Sequence, residues 1–144
     1  MNRGHSRRQS APLCHDTECP DHDSAAKWWQ KTLQGEEEIG LCSAVAFAFV
    51  RLATNRKVFR QPLSVKDACA RVANWLEFPN VIWLDAEMKD FATASELLLH
   101  AGTGANLVTD AQIAAIAQRT GGSIRSCDHD FARFPGVDWS DPLE

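Results

Sequence analysis

The alternation of apolar and polar residues divides the first half of the chain into three amphipathic or apolar helices. Polar residues at 22–24 precede an amphipathic segment that ends at Gly35, which predicts the first helix. Residues 39–54 are apolar on nearly every face, a pattern that predicts one buried helix. Ser64 is followed three residues later by an acid, and residues 65–76 then carry apolar side chains at helical spacing, which predicts a capped third helix.

The second half of the chain alternates short β-rich runs with helical patterns. Residues 81–84 and 123–127 are predicted strands, and residues 87–100 and 107–119 are predicted helices that end at glycines. The apolar face of the first of these helices is expected to be buried and consists of Met88, Phe91, Ala94 and Leu98. This order predicts an α/β fold of three layers, with a parallel sheet between helices.

The N-terminal residues 1–13 are polar and basic and show no periodicity. We predict an irregular, disordered basic leader over 1–13, followed by one domain over 14–144. Since only two strands are visible elsewhere, the first strand of the sheet is expected to be missing or replaced. The leader lacks the apolar stretch of a signal peptide, and no apolar run in the chain reaches about 18 residues. These features predict a cytoplasmic protein that does not enter a membrane.

Composition and charge support one globular domain and raise a question about its ligands. Of 144 residues, 44% are apolar and 24% are charged, and the formal net charge is −4. The leader carries three arginines and no acid, so residues 14–144 hold twelve bases and nineteen acids, a net charge of −7. Because nucleic-acid binding usually appears as a basic excess, either this domain avoids nucleic acid or some of its acids hold cations.

Five cysteines at irregular spacing predict no disulfide framework, which agrees with a reducing compartment. Near the N-terminus, four soft ligands lie within nine residues, so a small zinc-binding module is a remote alternative. Its ligands would be Cys14, His15, Cys19 and His22. Their spacing is tighter than the usual paired zinc arrangement, which favours a polar entry loop.

Two aspartates are the best candidates for chemistry. Asp110 lies in the first turn of a predicted helix, and Asp128 directly follows a predicted strand, where ligands of parallel sheets gather. Two carboxylates suit Mg²⁺, with Mn²⁺ as the alternative ion, and such an ion activates water and offsets phosphodiester charge. Asn106 would orient a ligand and Asp130 would add a supporting acceptor. The ordinary alternatives are a favourable helix dipole at Asp110 and a turn cap at Asp128.

The domain contains one dense basic patch. It is formed by Arg51, Arg56, Lys57 and Arg60. These side chains either contact phosphates or belong to a solvated loop.

The C-terminal part of the sequence closely resembles the PIN-domain ribonucleases of the VapC type, which are toxins of bacterial toxin–antitoxin pairs. The family pattern has a Gly-Asn helix start with an Asp-Ala pair, then a strand, then D-x-D-F-x-R-F-P-G. The corresponding residues here are Gly104, Asn106, Asp110, Ala111, Asp128, Asp130, Phe131, Arg133, Phe134, Pro135 and Gly136. Residues 39–59 and 22–29 resemble the middle region and the first helix of the same family, in the subgroup common in mycobacteria. The resemblance runs from about Asp16 to the C-terminus.

This resemblance implies a PIN-like fold and a Mg²⁺-dependent endoribonuclease that forms a homodimer and is neutralised by a small antitoxin. Asp110 and Asp128 correspond to two of the metal-binding acids of the family. The family's first strand carries D-x-N, which is absent from this chain, and Ala48 stands where a second acid is expected. We therefore expect a reading frame that is truncated, or frameshifted upstream of about residue 13. The alternative function is a catalytically impaired, truncated PIN homologue that only binds antitoxin or other PIN chains.

Overall fold

The computed structural model of the protein describes residues 10–12 and 21–144. This part of the chain forms a parallel β-sheet with helices packed on it. The elements in chain order are β1 (Ser10–Pro12), α1 (His22–Gln34), β2 (Ile39–Leu41), α2 (Ser43–Ala53), α3 (Val65–Trp75), β3 (Val81–Trp83), α4 (Met88–Ala101), α5 (Leu107–Thr120), β4 (Ser123–Arg125), a 3-10 helix (His129–Arg133) and β5 (Trp139–Ser140). The strand order is β3-β2-β1-β4-β5, which confirms the predicted α/β fold with its parallel sheet.

The central strand of the sheet is β1, which lies inside the segment predicted to be an irregular leader. Ser10 pairs with Ile39 of β2 on one side and with Ser123 of β4 on the other. The expectation that residues 1–13 offer no strand is therefore wrong for residues 10–12. The first strand is replaced: three residues without the D-x-N pattern occupy its place, and the rest of the predicted leader lies outside the described residues.

The predicted buried helix over residues 39–54 is two elements. Its first three residues form β2 and are all buried, and α2 begins at Ser43. A strand covered on both faces of a parallel sheet is a continuous apolar run, and so periodicity cannot separate it from the start of a buried helix. The C-terminal tail contains the 3-10 helix and the edge strand β5.

Helix α5 forms the centre of the core. Seven of its residues are buried, and α4 packs along it. An ion pair fixes how α4 faces α5: Arg119 near the end of α5 donates to Asp90 at 2.9 Å, and Asp90 is buried. Because Asp90 points at α5, the residues one and two turns later, Ala94 and Leu97, are buried as well.

The same orientation leaves part of the predicted apolar face of α4 in solvent. Met88 and Phe91 are 92% and 77% exposed, so their predicted burial is wrong, whereas that of Ala94 is confirmed. Leu99 is 81% exposed on the same side of the helix. Phe91 and Leu99 follow Met88 by about one and about three helical turns, so the three exposed side chains lie on one face of α4.

The cysteines and the membrane prediction have separate outcomes. Cys42 and Cys69 are free thiols, whereas Cys127 is disulfide-bonded, which the irregular cysteine spacing did not predict. Cys14, His15 and Cys19 of the zinc alternative lie outside the described residues, and the fourth member, His22, is exposed at the start of α1.

Among the described helices, none has the length and apolar character needed to cross a bilayer.

Candidate active site

The carboxyl end of β4 leads directly into two of the predicted site residues. Ser126 is fully buried just beyond the strand, and its hydroxyl accepts a hydrogen bond from the Asp128 backbone N–H at 3.0 Å. The Asp128 carboxylate in turn accepts from the backbone N–H of Asp130 at 3.0 Å and caps the 3-10 helix. The predicted turn cap at Asp128 is therefore present, and it leaves the second carboxylate oxygen available.

Three carboxylates meet at this end of the sheet. The first turn of α5 brings Asp110 to the same place as Asp128 and Asp130, with one oxygen of each within 4.8 Å of the others. All three line an open cavity of about 550 Å³. We call this the acid pocket. Asp130 is a full member of the cluster, which sequence reasoning had given only a supporting role.

Asn106 lines the acid pocket from the residue that precedes α5. It occupies the N-cap position, yet its side chain makes no capping hydrogen bond. The preceding residue, Ala105, also lines the pocket and has a φ of 50°, in the left-handed region that is costly for a residue with a Cβ. The chain thus bends sharply before α5, and the Asn106 amide is available to a ligand.

Arg51 and Ala48 form the opposite wall, one turn apart on α2. Ala48 presents a methyl group where the resemblance led us to expect an acid. Of the four predicted phosphate-binding cations, Arg51 lines the pocket and is exposed, whereas Arg56, Lys57 and Arg60 lie on the exposed loop after α2 and do not line it. Within the described parts of the chain, none of these four cations forms an ion pair.

The donor set of the acid pocket fits a hard divalent cation. Three carboxylates supply oxygen ligands, and the open cavity leaves room for the waters that Mg²⁺ retains. Neighbouring ligands of an octahedral Mg²⁺ ion are about 3 Å apart and opposite ligands about 4.2 Å apart, so separations of up to 4.8 Å require only small side-chain movements. Asp110 and Asp128, the predicted metal ligands, both belong to this donor set.

Both the sequence and the fold resemble those of known proteins. The sequence matches the family described as PIN domain over residues 17–137. It is 43% identical over 124 residues to Ribonuclease VapC33 of Mycobacterium tuberculosis, which covers 86% of this chain and 87% of that protein. It is 37% identical over 127 residues to Ribonuclease VapC37 of the same organism, with 88% of each chain covered.

Two solved structures have the same fold at low sequence identity. The VapBC2 structure from Rickettsia felis, bound to a DNA fragment from its promoter, matches 92% of this chain and 98% of that chain with a TM-score of 0.63. The DNA-bound VapBC structure from Salmonella typhimurium matches 94% and 98% with a TM-score of 0.62. Both are 15% identical in sequence, so they support the fold assignment.

Proposed function

Because the chain belongs to the PIN domain family and to the VapC ribonucleases within it, we propose that it is a Mg²⁺-dependent endoribonuclease and the toxin of a type II toxin–antitoxin pair. The observation that carries this proposal is the convergence of Asp110, Asp128 and Asp130 in one open pocket. We propose Asp110 and Asp128 as the metal-binding catalytic residues. Mn²⁺ would be expected to substitute for Mg²⁺, since both prefer oxygen ligands.

Each wall of the acid pocket has a role in this proposal. A bound Mg²⁺ ion would supply a Lewis acid and lower the pKa of a bound water. Asp110 and Asp128 would hold the ion, and the Asn106 amide would orient a phosphate or a water by hydrogen bonding. Arg51 would bind the phosphate charge from the α2 side, so the net acidic domain would still accept RNA. The exposed cations Arg56, Lys57 and Arg60 would extend this contact along the RNA backbone.

Cleavage of a structured RNA by the purified chain, with Mg²⁺ and with EDTA, tests the activity. We expect cleavage only with Mg²⁺. Asp110→Asn should lower the cleavage rate on the order of a hundredfold or more, because losing a metal ligand is at least as damaging as losing a residue that hydrogen-bonds to a ligand. Asp138→Asn is the matched control, since Asp138 is exposed and does not line the pocket. Equal cleavage by Asp110→Asn and the wild type would refute this assignment.

The second candidate function is a catalytically impaired PIN homologue that only binds antitoxin or other PIN chains. Ala48 favours it, because a methyl group lines the pocket where the family resemblance predicts an acid. Ala48→Glu discriminates between the two candidates. If the site is impaired, this variant raises cleavage from near background, whereas in an active enzyme it crowds the pocket and lowers it. No cleavage by either protein, together with retained antitoxin binding, would favour the impaired homologue.

We also propose that the chain forms a homodimer and binds a small antitoxin. Solved structures of similar fold are VapBC assemblies, and Met88, Phe91 and Leu99 give α4 an exposed apolar face of the kind that marks protein interfaces. Sedimentation of the full chain over a range of concentrations tests self-association. Leu99→Lys should shift the chain toward monomer if α4 contributes, and Glu96→Gln, which changes the net charge by the same amount one turn away, is the charge-matched control.

A further inference from the structure

The residue between the two adjacent acids of the pocket, His129, does not line that pocket and instead meets the C-terminal segment of the chain. Its Nε2 lies 2.9 Å from Asp141 Oδ2 and 3.5 Å from Glu144 Oε2. One ligand atom from each of the three side chains lies within 4.8 Å of the other two. The cluster therefore brings one imidazole and two carboxylates to a single point on the surface.

Two of these three side chains are held in place by neighbours outside the cluster. The Trp139 ring packs edge-on against His129 at 5.0 Å, and its Nε1 donates to the Ser126 carbonyl at 2.9 Å. The Asp141 side chain is only 8% exposed and accepts a hydrogen bond from the Leu143 backbone N–H at 2.9 Å. His129 and Asp141 are thus held in place before any ligand arrives, which lowers the cost of binding one.

We propose that His129, Asp141 and Glu144 form a binding site for a transition-metal dication such as Zn²⁺, separate from the acid pocket. With bonds of about 2.0–2.1 Å, tetrahedral Zn²⁺ places its ligand atoms about 3.4 Å apart. The observed separations of 2.9 and 3.5 Å lie on either side of that value. The imidazole nitrogen favours Zn²⁺ over Mg²⁺, and the exposure of His129 and Glu144 leaves the fourth position open to water.

Such an ion would connect the 3-10 helix to the C-terminal segment of the chain. His129 begins the 3-10 helix whose cap is Asp128, while Asp141 and Glu144 follow the edge strand β5. Bound Zn²⁺ would therefore restrain the turn that carries two acids of the pocket. The proposed nuclease chemistry does not use these three residues, so the failure of either proposal would leave the other unaffected.

Thermal unfolding and Zn²⁺ titration of the full chain, after treatment with EDTA, test the site. With excess Mg²⁺ present to occupy the acid pocket, we expect one Zn²⁺ ion per chain and a rise in Tm of roughly 5–10 °C at a free Zn²⁺ concentration of 100 times Kd. Asp141→Asn and Glu144→Gln should each weaken Zn²⁺ binding at least about tenfold. Glu144→Gln changes only an exposed carboxylate, so its apoprotein should unfold as the wild type does. Asp141→Asn keeps one acceptor oxygen and replaces the other with an N–H donor, so its Zn²⁺ response is measured against its own apoprotein. Asp110→Asn removes an acid of the pocket and should keep the full Zn²⁺ response.

Hydrogen exchange and Co²⁺ substitution locate the ion. Zn²⁺ should slow amide exchange in residues 139–144 of the wild type, and Asp141→Asn should abolish that protection. Co²⁺ bound by an imidazole and carboxylates gives no thiolate charge-transfer band, whereas binding at the N-terminal cysteines does. The proposal is overturned by any of three results: no Zn²⁺ response, a response lost in Asp110→Asn but kept in Asp141→Asn, or a thiolate band.

Discussion

Replacing Asp128 with asparagine should change the stability of the chain in opposite directions with and without divalent metal. Without metal, the Asp128 carboxylate faces those of Asp110 and Asp130 at separations within 4.8 Å. Two unit charges at 4.8 Å repel by about 0.9 kcal/mol in water and by about 3.5 kcal/mol at an effective dielectric constant of 20. The open pocket and physiological salt favour the lower value, so removing both repulsions should stabilise the metal-free chain by about 1.5 kcal/mol.

Asparagine is a suitable substitution because it preserves the structural role of Asp128. The Asp128 side chain caps the 3-10 helix by accepting from the Asp130 N–H, and asparagine accepts the same hydrogen bond. In Mg²⁺ at 100 times Kd, the wild type should gain about 2.7 kcal/mol, whereas the variant, having lost a ligand, should gain little. The order of stabilities therefore inverts between EDTA and Mg²⁺.

Thermal unfolding in EDTA and in Mg²⁺ measures both effects. The variant should melt about 3–6 °C above the wild type in EDTA and below it in saturating Mg²⁺. Asp138→Asn, which removes an exposed carboxylate outside the pocket, should shift neither comparison. If Asp128→Asn melts below the wild type in EDTA, then mutual repulsion does not dominate at this cluster. An unchanged Mg²⁺ response in the variant would instead mean that Asp128 is not a ligand.

Three further predictions concern stability and the bend before α5. Arg119→Met should lower the free energy of unfolding in urea by about 3 kcal/mol, because it leaves the nearly buried Asp90 without its ion-pair partner; a loss under 1 kcal/mol would contradict this. Burial alone raises the pKa of Asp90, but hydrogen bonds from Arg119 and the Glu87 backbone N–H outweigh it and hold that pKa below its ordinary value. This contribution to stability is present above the ordinary aspartate pKa of about 3.9 and is lost as the pH falls through the lower pKa of the folded state. The free energy of unfolding of Asp90→Asn should therefore depend less on pH in this acidic range than that of the wild type. Parallel pH profiles of the two proteins would contradict this prediction. Asn106→Ala should leave Tm unchanged yet reduce RNA cleavage, because the Asn106 side chain makes no capping hydrogen bond. Ser64→Ala, which removes a true cap, should lower the free energy of unfolding by about 1 kcal/mol without affecting cleavage. A loss of Tm in Asn106→Ala would show that its side chain supports the helix.

Sequence reasoning identified the elements whose signals are local. The cap at Ser64 and the glycine that ends α5, Gly121 with a φ of 73°, both appear where local patterns predict them. The position of Asp128 followed from one general property, that ligands gather at the carboxyl ends of parallel strands, and Asp110 meets it because the start of α5 lies at the same end of the sheet. Local signals were sufficient for Ser64 and Gly121 because a helix cap and a helix end depend on the residues next to them.

Non-local features were the ones that sequence reasoning missed. Burial of Met88 and Phe91 was predicted from helical periodicity, but the rotation of α4 is set by the pair between Asp90 and Arg119, which joins two helices. The strand at Ser10–Pro12 carries no β-favouring pattern, and it is a strand because of the two partners that flank it. Propensity is a weak guide where tertiary contacts decide the conformation.

The position of β1 has a consequence for how the chain is made. The ribosome synthesises β1 first, yet its three-residue partner β4, at Ser123–Arg125, is among the last elements to emerge. The sheet therefore cannot close until β4 has been synthesised, because the middle strand β1 needs both of its partners. Folding should consequently be slow relative to helical proteins of the same size, because this pairing joins residues that are so distant in sequence.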